Sequence, residues 1–416
     1  METEHMVATG ANALASDPDE RLVGSADKTT GCNRQTVELR LARLDDFASA
    51  RDFIAQLGED RLSLPYHEAS WIEAWQTSFG EIERCEPVLV AGFLDEQAAF
   101  FLPLALQKKG PLCVLGFLGQ NKANQSTGLW RRSAVDAVEP AVLHRHLSAL
   151  GKTLEADLLQ LANLPEHLVE SPNPLCLGEL VQSPSPVFIG PLSADFDDLF
   201  RTSHSKAARK KLAKKQKSLE AADNFQIVCA ATDAEIERGL KAFLEQRAVR
   251  AAATGIPNVF TGEKEKLFLE TLLKFGPQPD QAGLNLWWLE CEGEIRATYL
   301  SCRSGDRLIG YANSISHDDM TAHSPGVVLL KEIIARACAD PGLHCLDLGL
   351  GDERYKRSWS EAVALFDSYT PLTLKGKMAF FAFSKKQALK ARIRKSEALW
   401  PLVRKMRALK ARVRSS

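Results

Sequence analysis

The chain has 416 residues, 45% of them apolar and 25% charged, enough for two or three folded domains and too apolar for disorder to be its main state. Its longest apolar stretches, such as Ala98 to Leu106, fall far short of the ~20 residues of a membrane helix. Nine cysteines lie scattered with no C-x-x-C pair and no histidine at ligand spacing, which argues for reduced thiols in a cytoplasmic protein and against a zinc site.

Residues 1–36 are polar and aperiodic, so they read as a disordered leader, and their acidic start does not resemble a secretory signal. Structure is expected from Val37. Trp71 and Trp75 stand four apart on one predicted helical face and read as core. Val88 to Leu104, the Lys108–Pro111 turn and Leu112 to Leu118 predict a three-stranded antiparallel meander. A helix over Ala134–Leu150 and a strand over Asp157–Leu164 follow.

The basic run Lys206–Lys217 predicts a helix entered through a Ser/Thr cap, with Leu212 and Leu219 as a thin apolar stripe. It fits either a solvated connector or a cationic wall beside a phosphate-bearing ligand. A helix over Ala234–Thr254 follows. About 198 residues after the first meander comes a second, from Leu286 through the Ser304–Arg307 turn to Ile315, again followed by a helix, here after Pro325, and a strand, His344–Leu348. The repeat predicts two lobes of one α+β design, each a mixed sheet flanked by helices.

The copies differ in chemistry. The second has Ser324-Pro325-Gly326 at its helix start, where Ser324 can cap, Pro325 loses no hydrogen bond, and the amides of Gly326, Val327, Val328 and Leu329 can cradle a phosphate. Its strand ends in a loop bearing Asp352, Glu353, Tyr355 and Lys356. The first copy has Asn121–Gly128 and then Asn163-Leu164-Pro165-Glu166 in these places, so catalysis is expected in the second. Asp347, in an apolar strand, is costly unless bonded, and either holds the following loop's amides in place or takes part in the site, the structural role being the favoured one.

The S-P-G helix, the D-L-G-x-G-D-E-x-Y-K-x-x-W loop, the S-W-x-x-x-W-x-x-x-F-G segment at Ser70–Gly80 and Arg209–Leu212 together resemble bacterial acetyltransferases of the GNAT superfamily. More narrowly they resemble the cellulose-biosynthesis (CelD-like) type, whose two-lobed build is shared with peptidoglycan-bridge aminoacyl transferases. A Ser-Pro-Gly turn stands in place of the usual Arg/Gln-x-x-Gly-x-Gly/Ala phosphate motif.

The resemblance implies two tandem GNAT-like lobes, acetyl-CoA or another acyl-CoA as co-substrate with no metal, and acyl transfer to an amine or hydroxyl of a sugar, polysaccharide precursor or lipid intermediate. Ser324, Pro325, Gly326, Val327, Val328 and Leu329 would bind the co-substrate. Glu353 would serve as base, Tyr355 as acid toward the leaving thiolate, with Asp352 beside them. Arg247, Tyr311, Lys356 and Trp359 would contact the acceptor. The alternatives are an aminoacyl-tRNA donor and a non-catalytic accessory of an exopolysaccharide-synthesis complex. The expected division is a leader at 1–36, lobes at 37–200 and 223–375, a basic connecting helix at 201–222 and a basic tail at 376–416.

From Pro371 onward there are fourteen Lys and Arg against one acid, Glu397, a net +13 that leaves −14 for residues 1–370. Leu399, Val403, Met406, Leu409 and Val413 form a helical apolar stripe among these cations. Such a tail suits an anionic membrane surface or a partner protein at the inner face of the membrane, and lacks a motif for nucleic acid.

Overall fold

The computed structural model describes residues 38–80, 85–255, 258–276 and 282–395, with side chains to residue 385. The expected leader and the Leu399–Val413 stripe lie outside the described residues.

Both predicted meanders are present, as Cys85–Leu94, Gln97–Lys109 and Leu112–Phe117, and as Asn285–Cys291, Glu294–Ser304 and Arg307–Ile315. In each, the third strand runs parallel to the strand after the following helix: Val114–Gly116 beside Leu158–Gln160, and Arg307–Ile309 beside Cys345–Asp347. Parallel pairing ends there in both lobes, and the strands part. The fold is thus α+β, two lobes of one design in tandem, each a mixed sheet flanked by helices.

Chain order misassigns two strands. Leu365–Pro371, expected in the second lobe, pairs antiparallel with Leu158–Pro165 in the first sheet. Val187–Pro191, expected in the first, pairs antiparallel with Cys345–Leu350 in the second. Each lobe therefore completes its sheet with a strand of the other, and the described residues form one unit. A second difference concerns the helix expected over Ala134–Leu150, which spans Pro140–Thr153. Pro140 has no N–H to donate, so it opens the helix rather than sitting inside it.

Helix ends follow local chemistry. The Ser205 hydroxyl caps the basic helix Lys206–Glu220 by accepting from Ala208 N–H at 3.2 Å. Thr232 and Glu235 form a reciprocal capping box on Asp233–Thr254, which stops at Gly255 in the left-handed region. Leu212 and Leu219 are buried in the core that also holds Val328, Leu329 and Ile333 of the helix Pro325–Cys338, so the basic helix packs on the second lobe. Trp71 and Trp75 are core, as their spacing predicts. No helix among the described residues is long and apolar enough to cross a membrane.

Candidate functional site

The parting of the second lobe's parallel strands is what opens a site. Past Ile309 and Asp347, Gly310–Asn313 and Leu348–Leu350 diverge, and a cleft of about 320 Å³ lies against them. A bulge helps to shape it: Leu300 pairs with Ala312 and Ser301 with Gly310, leaving Tyr311 as the extra residue. Tyr311 sets its ring edge-on to Trp71 at 5.1 Å and donates its hydroxyl to the Lys122 carbonyl at 2.9 Å. Arg247 and Arg250 of the helix Asp233–Thr254 form another wall, and Glu353, Tyr355 and Lys356 a third.

The fourth wall comes from the first lobe. Asn121–Asn124 line the cleft, with Asn124 Nδ2 3.4 Å from the Gly310 carbonyl. Next in sequence, Gln125 Nε2 donates to Asp347 Oδ2 at 2.6 Å. Asp347 is fully buried and also accepts from Gly349 N–H at 2.8 Å and from Arg307 at 3.4 Å, the bonding that its place in an apolar strand demands. Ser126 N–H donates to the Asn163 carbonyl where the first lobe's own strands have parted. One amide-rich loop thus bridges both partings. Its concentration of Asn and Gln at the place of the second lobe's Ser-Pro-Gly turn is the sequence signal for this role; Lys122, Asn124 and Gln125 were not singled out as site residues from sequence.

The electrostatics are set by burial. Arg247 donates to Asn258 Oδ1 at 3.0 Å and to the Asn313 carbonyl at 2.9 Å, and lies over the Phe260 ring. Burial, then neighbouring Arg250, lowers its pKa from the usual guanidinium range. Burial, then the Glu353 carboxylate, raises the Tyr355 phenol well above its ordinary value. The Tyr355 oxygen accepts from Asn313 Nδ2 at 2.8 Å, which leaves its own proton free to donate. Glu353 Oε2 is 2.9 Å from Lys356 Nζ.

Several sequence expectations change. Lys356 is buried, and its ammonium reaches the Gly349 carbonyl at 3.3 Å, the Leu350 carbonyl at 2.6 Å and Glu353. Two of its hydrogens go to loop carbonyls and its charge pairs with Glu353, so Lys356 fixes the loop. Trp359 is 5% exposed, stacks on Phe200 at 5.7 Å and meets His204 edge-on at 4.5 Å, a core position instead of a substrate contact. Asp352 pairs with Arg357 through two bonds, at 3.0 and 2.7 Å, on the surface outside the cleft lining.

The Ser-Pro-Gly turn also departs from expectation. Ser324 is left-handed (φ 54) and its side chain caps nothing; its hydroxyl accepts from Lys215 Nζ at 2.6 Å. The Ser324 carbonyl takes the amides of Val327 and Val328, at 3.0 and 3.2 Å. A Cβ on Gly326 would come within 2.8 Å of Ile315, so close packing requires this glycine. Pro325, Val328 and Leu329 are buried, and none of residues 324–329 lines the cleft. A pyrophosphate here would meet Lys215 of the basic helix, with the Val327 and Val328 amides already bonded. Among the described residues no group of His, Cys, Asp and Glu is placed to share a metal ion.

Residues 206–357 match the family model described as acetyltransferase (GNAT) domain, a span from the basic helix through the loop after Cys345–Leu350. No curated protein matches the sequence. Among solved structures the chain is similar to FemX, at 12% identity and TM-score 0.52 over 80% of this chain and 98% of that one. It is also similar to a conserved protein of unknown function from Bacteroides thetaiotaomicron VPI-5482, at 13% identity and TM-score 0.51 over 79% and 99%. At such identities the likeness is one of fold, and it extends over both lobes. The second lobe is a GNAT-family acetyltransferase domain, and the chain is an acyltransferase.

Proposed function

We propose that the chain moves an acetyl or other acyl group from acyl-CoA to an amine or hydroxyl of a sugar, polysaccharide precursor or lipid intermediate in bacterial polysaccharide biosynthesis, in the cytoplasm or at the inner membrane face. The observation that carries this reading is the convergence of Glu353, Tyr355 and Arg247 on the cleft where the parallel strands part. Thioester transfer needs a proton acceptor for the nucleophile and a donor for the negative charge that develops. Glu353 takes the nucleophile's proton as its oxygen or nitrogen attacks the thioester carbon. The C–S bond then breaks and the electron pair leaves on sulfur. A thiol near pKa 8.5 is a stronger acid than a phenol raised above its ordinary value. Tyr355 therefore stabilises the thiolate by a hydrogen bond, with full proton transfer uphill. Arg247, Arg250 and the Asn121–Asn124 loop hold the acceptor, and their cations favour one bearing an anionic group.

One observation favours the second reading, a donor carried on aminoacyl-tRNA. The Val327 and Val328 amides are already taken, while the neighbouring helix presents seven Lys and Arg. Calorimetry separates the two. Acyl transfer from CoA expects acetyl-CoA and desulfo-CoA to bind and tRNA not to; saturable binding of charged tRNA with no heat from acetyl-CoA would reverse the choice.

A further inference from the structure

Over its described side chains, to Lys385, the helix Leu374–Lys395 has two apolar faces, and the fold uses one. Its inner face lies on the first lobe's sheet. Gly376 is buried so closely that a Cβ there would strike the Asp157 carbonyl. Phe380 packs 5.3 Å from the Tyr369 ring, and Phe383 joins the same cluster over Val114 and Leu158. These contacts fix how the helix is rotated.

The rotation turns Leu374, Met378 and Phe381 outward at 75%, 69% and 64% exposure. At i, i+4 and i+7 they make a continuous stripe over two turns. The other large exposed apolar side chains, such as Val169, Leu180 and Leu267, are spread over separate elements. Scattered residues of that kind need no partner, whereas a stripe of three does. Around it stand the exposed Lys377 and Lys385, the latter with its ammonium 5.3 Å from the Phe381 ring. The sequence that continues from it, residues 386–416, carries eleven Lys and Arg against one acid.

We infer that Leu374, Met378 and Phe381 are a wedge that enters an anionic lipid bilayer, with Lys377 and Lys385 at the headgroup level. Charge decides the occupant. A second copy of this face, or residues 386–416 folded back over it, would bring cations against cations, while anionic headgroups complement all of them. The apolar side chains supply a salt-resistant part of the binding and the cations a part that is screened. Docking of this kind is independent of the acyl-transfer reading, since the stripe lies on the first lobe's helix and the cleft on the second lobe's strands.

The test uses the full chain and vesicles of phosphatidylcholine with and without phosphatidylglycerol, read by co-sedimentation. The expected result is binding to the phosphatidylglycerol vesicles that falls roughly tenfold or more when Leu374→Ser, Met378→Ser and Phe381→Ser are combined. Lys377→Glu with Lys385→Glu should weaken it less, with a reduced salt dependence. All five side chains are exposed, so an unchanged circular dichroism spectrum is expected for each variant. Equal binding by the triple serine variant would overturn the wedge and leave binding to residues 386–416. Absence of vesicle binding by the parent chain, or a shift from dimer to monomer on introducing the serines, would overturn the bilayer as the partner.

Discussion

The two lobes share a topology and differ in what fills the space where their parallel strands part. In the first, the lobe's own loop closes the gap through Ser126 N–H and the Asn163 carbonyl, and His67 stacks on Phe117 beneath the loop's end. In the second, Asn124 and Gln125 of that same loop touch the two parted strands from outside, and the space beyond them stays open as the cleft. The second lobe thus keeps an open cleft where its strands part, and the first lobe supplies one of that cleft's walls.

The sharpest way to break this comparison is to change the equivalent loops of both lobes. Glu353→Gln or Tyr355→Phe is expected to lower the maximal rate by about 10²–10⁴, the usual yield of a positioned proton acceptor or donor. Glu166→Gln, on the exposed first-lobe counterpart, should leave the rate unchanged. Steady-state kinetics with saturating acyl-CoA reads both, and a comparable loss from Glu166→Gln would place chemistry in the first lobe.

Next in size is the loop that joins the lobes. Gln125→Ala removes the shortest hydrogen bond to the buried Asp347 and should cost about 1–3 kcal/mol in urea unfolding. The same variant should raise the acceptor KM more than it changes kcat, because the adjacent Asn121–Asn124 wall loses its anchor.

His67 sharpens the contrast through pH. It is fully buried, its Nδ1 accepts the Gly128 amide at 3.0 Å, and burial lowers its pKa from 6.5 to about 3. The unfolded chain binds a proton here below pH 6.5 and the folded chain does not. Stability is therefore complete above pH 6.5 and falls as pH drops from 6.5 towards 3, by up to about 1.4 kcal/mol per unit. Urea midpoints between pH 7 and 4.5 should decline more steeply for the parent than for His67→Gln; equal slopes would show that the histidine is not buried neutral.

The smallest effect is expected at Asp352. Its exposed pair with Arg357 contributes at most about 1 kcal/mol, so Asp352→Asn should change both melting and rate little. A rate loss like that of Glu353→Gln would return Asp352 to the catalytic set.

The chain itself determined both meanders, the helix after Pro325, the presence though not the start of the helix Pro140–Thr153, the buried tryptophans and the loop with Glu353 and Tyr355. Alternating or continuous apolar runs and caps act over a few residues, and their consequences can be read locally. Which strand completes which sheet was decided only in three dimensions. Val187–Pro191 and Leu365–Pro371 are short runs whose backbone N–H and C=O groups can satisfy either sheet, so chain order does not say where they pair. The cleft has the same origin. Lys122 and Asn124 meet Tyr311 and Gly310 across more than 180 residues of sequence, while Ser324 and Trp359, polar or aromatic in a suggestive motif, spend their groups on Lys215 and Phe200, which only packing brings near.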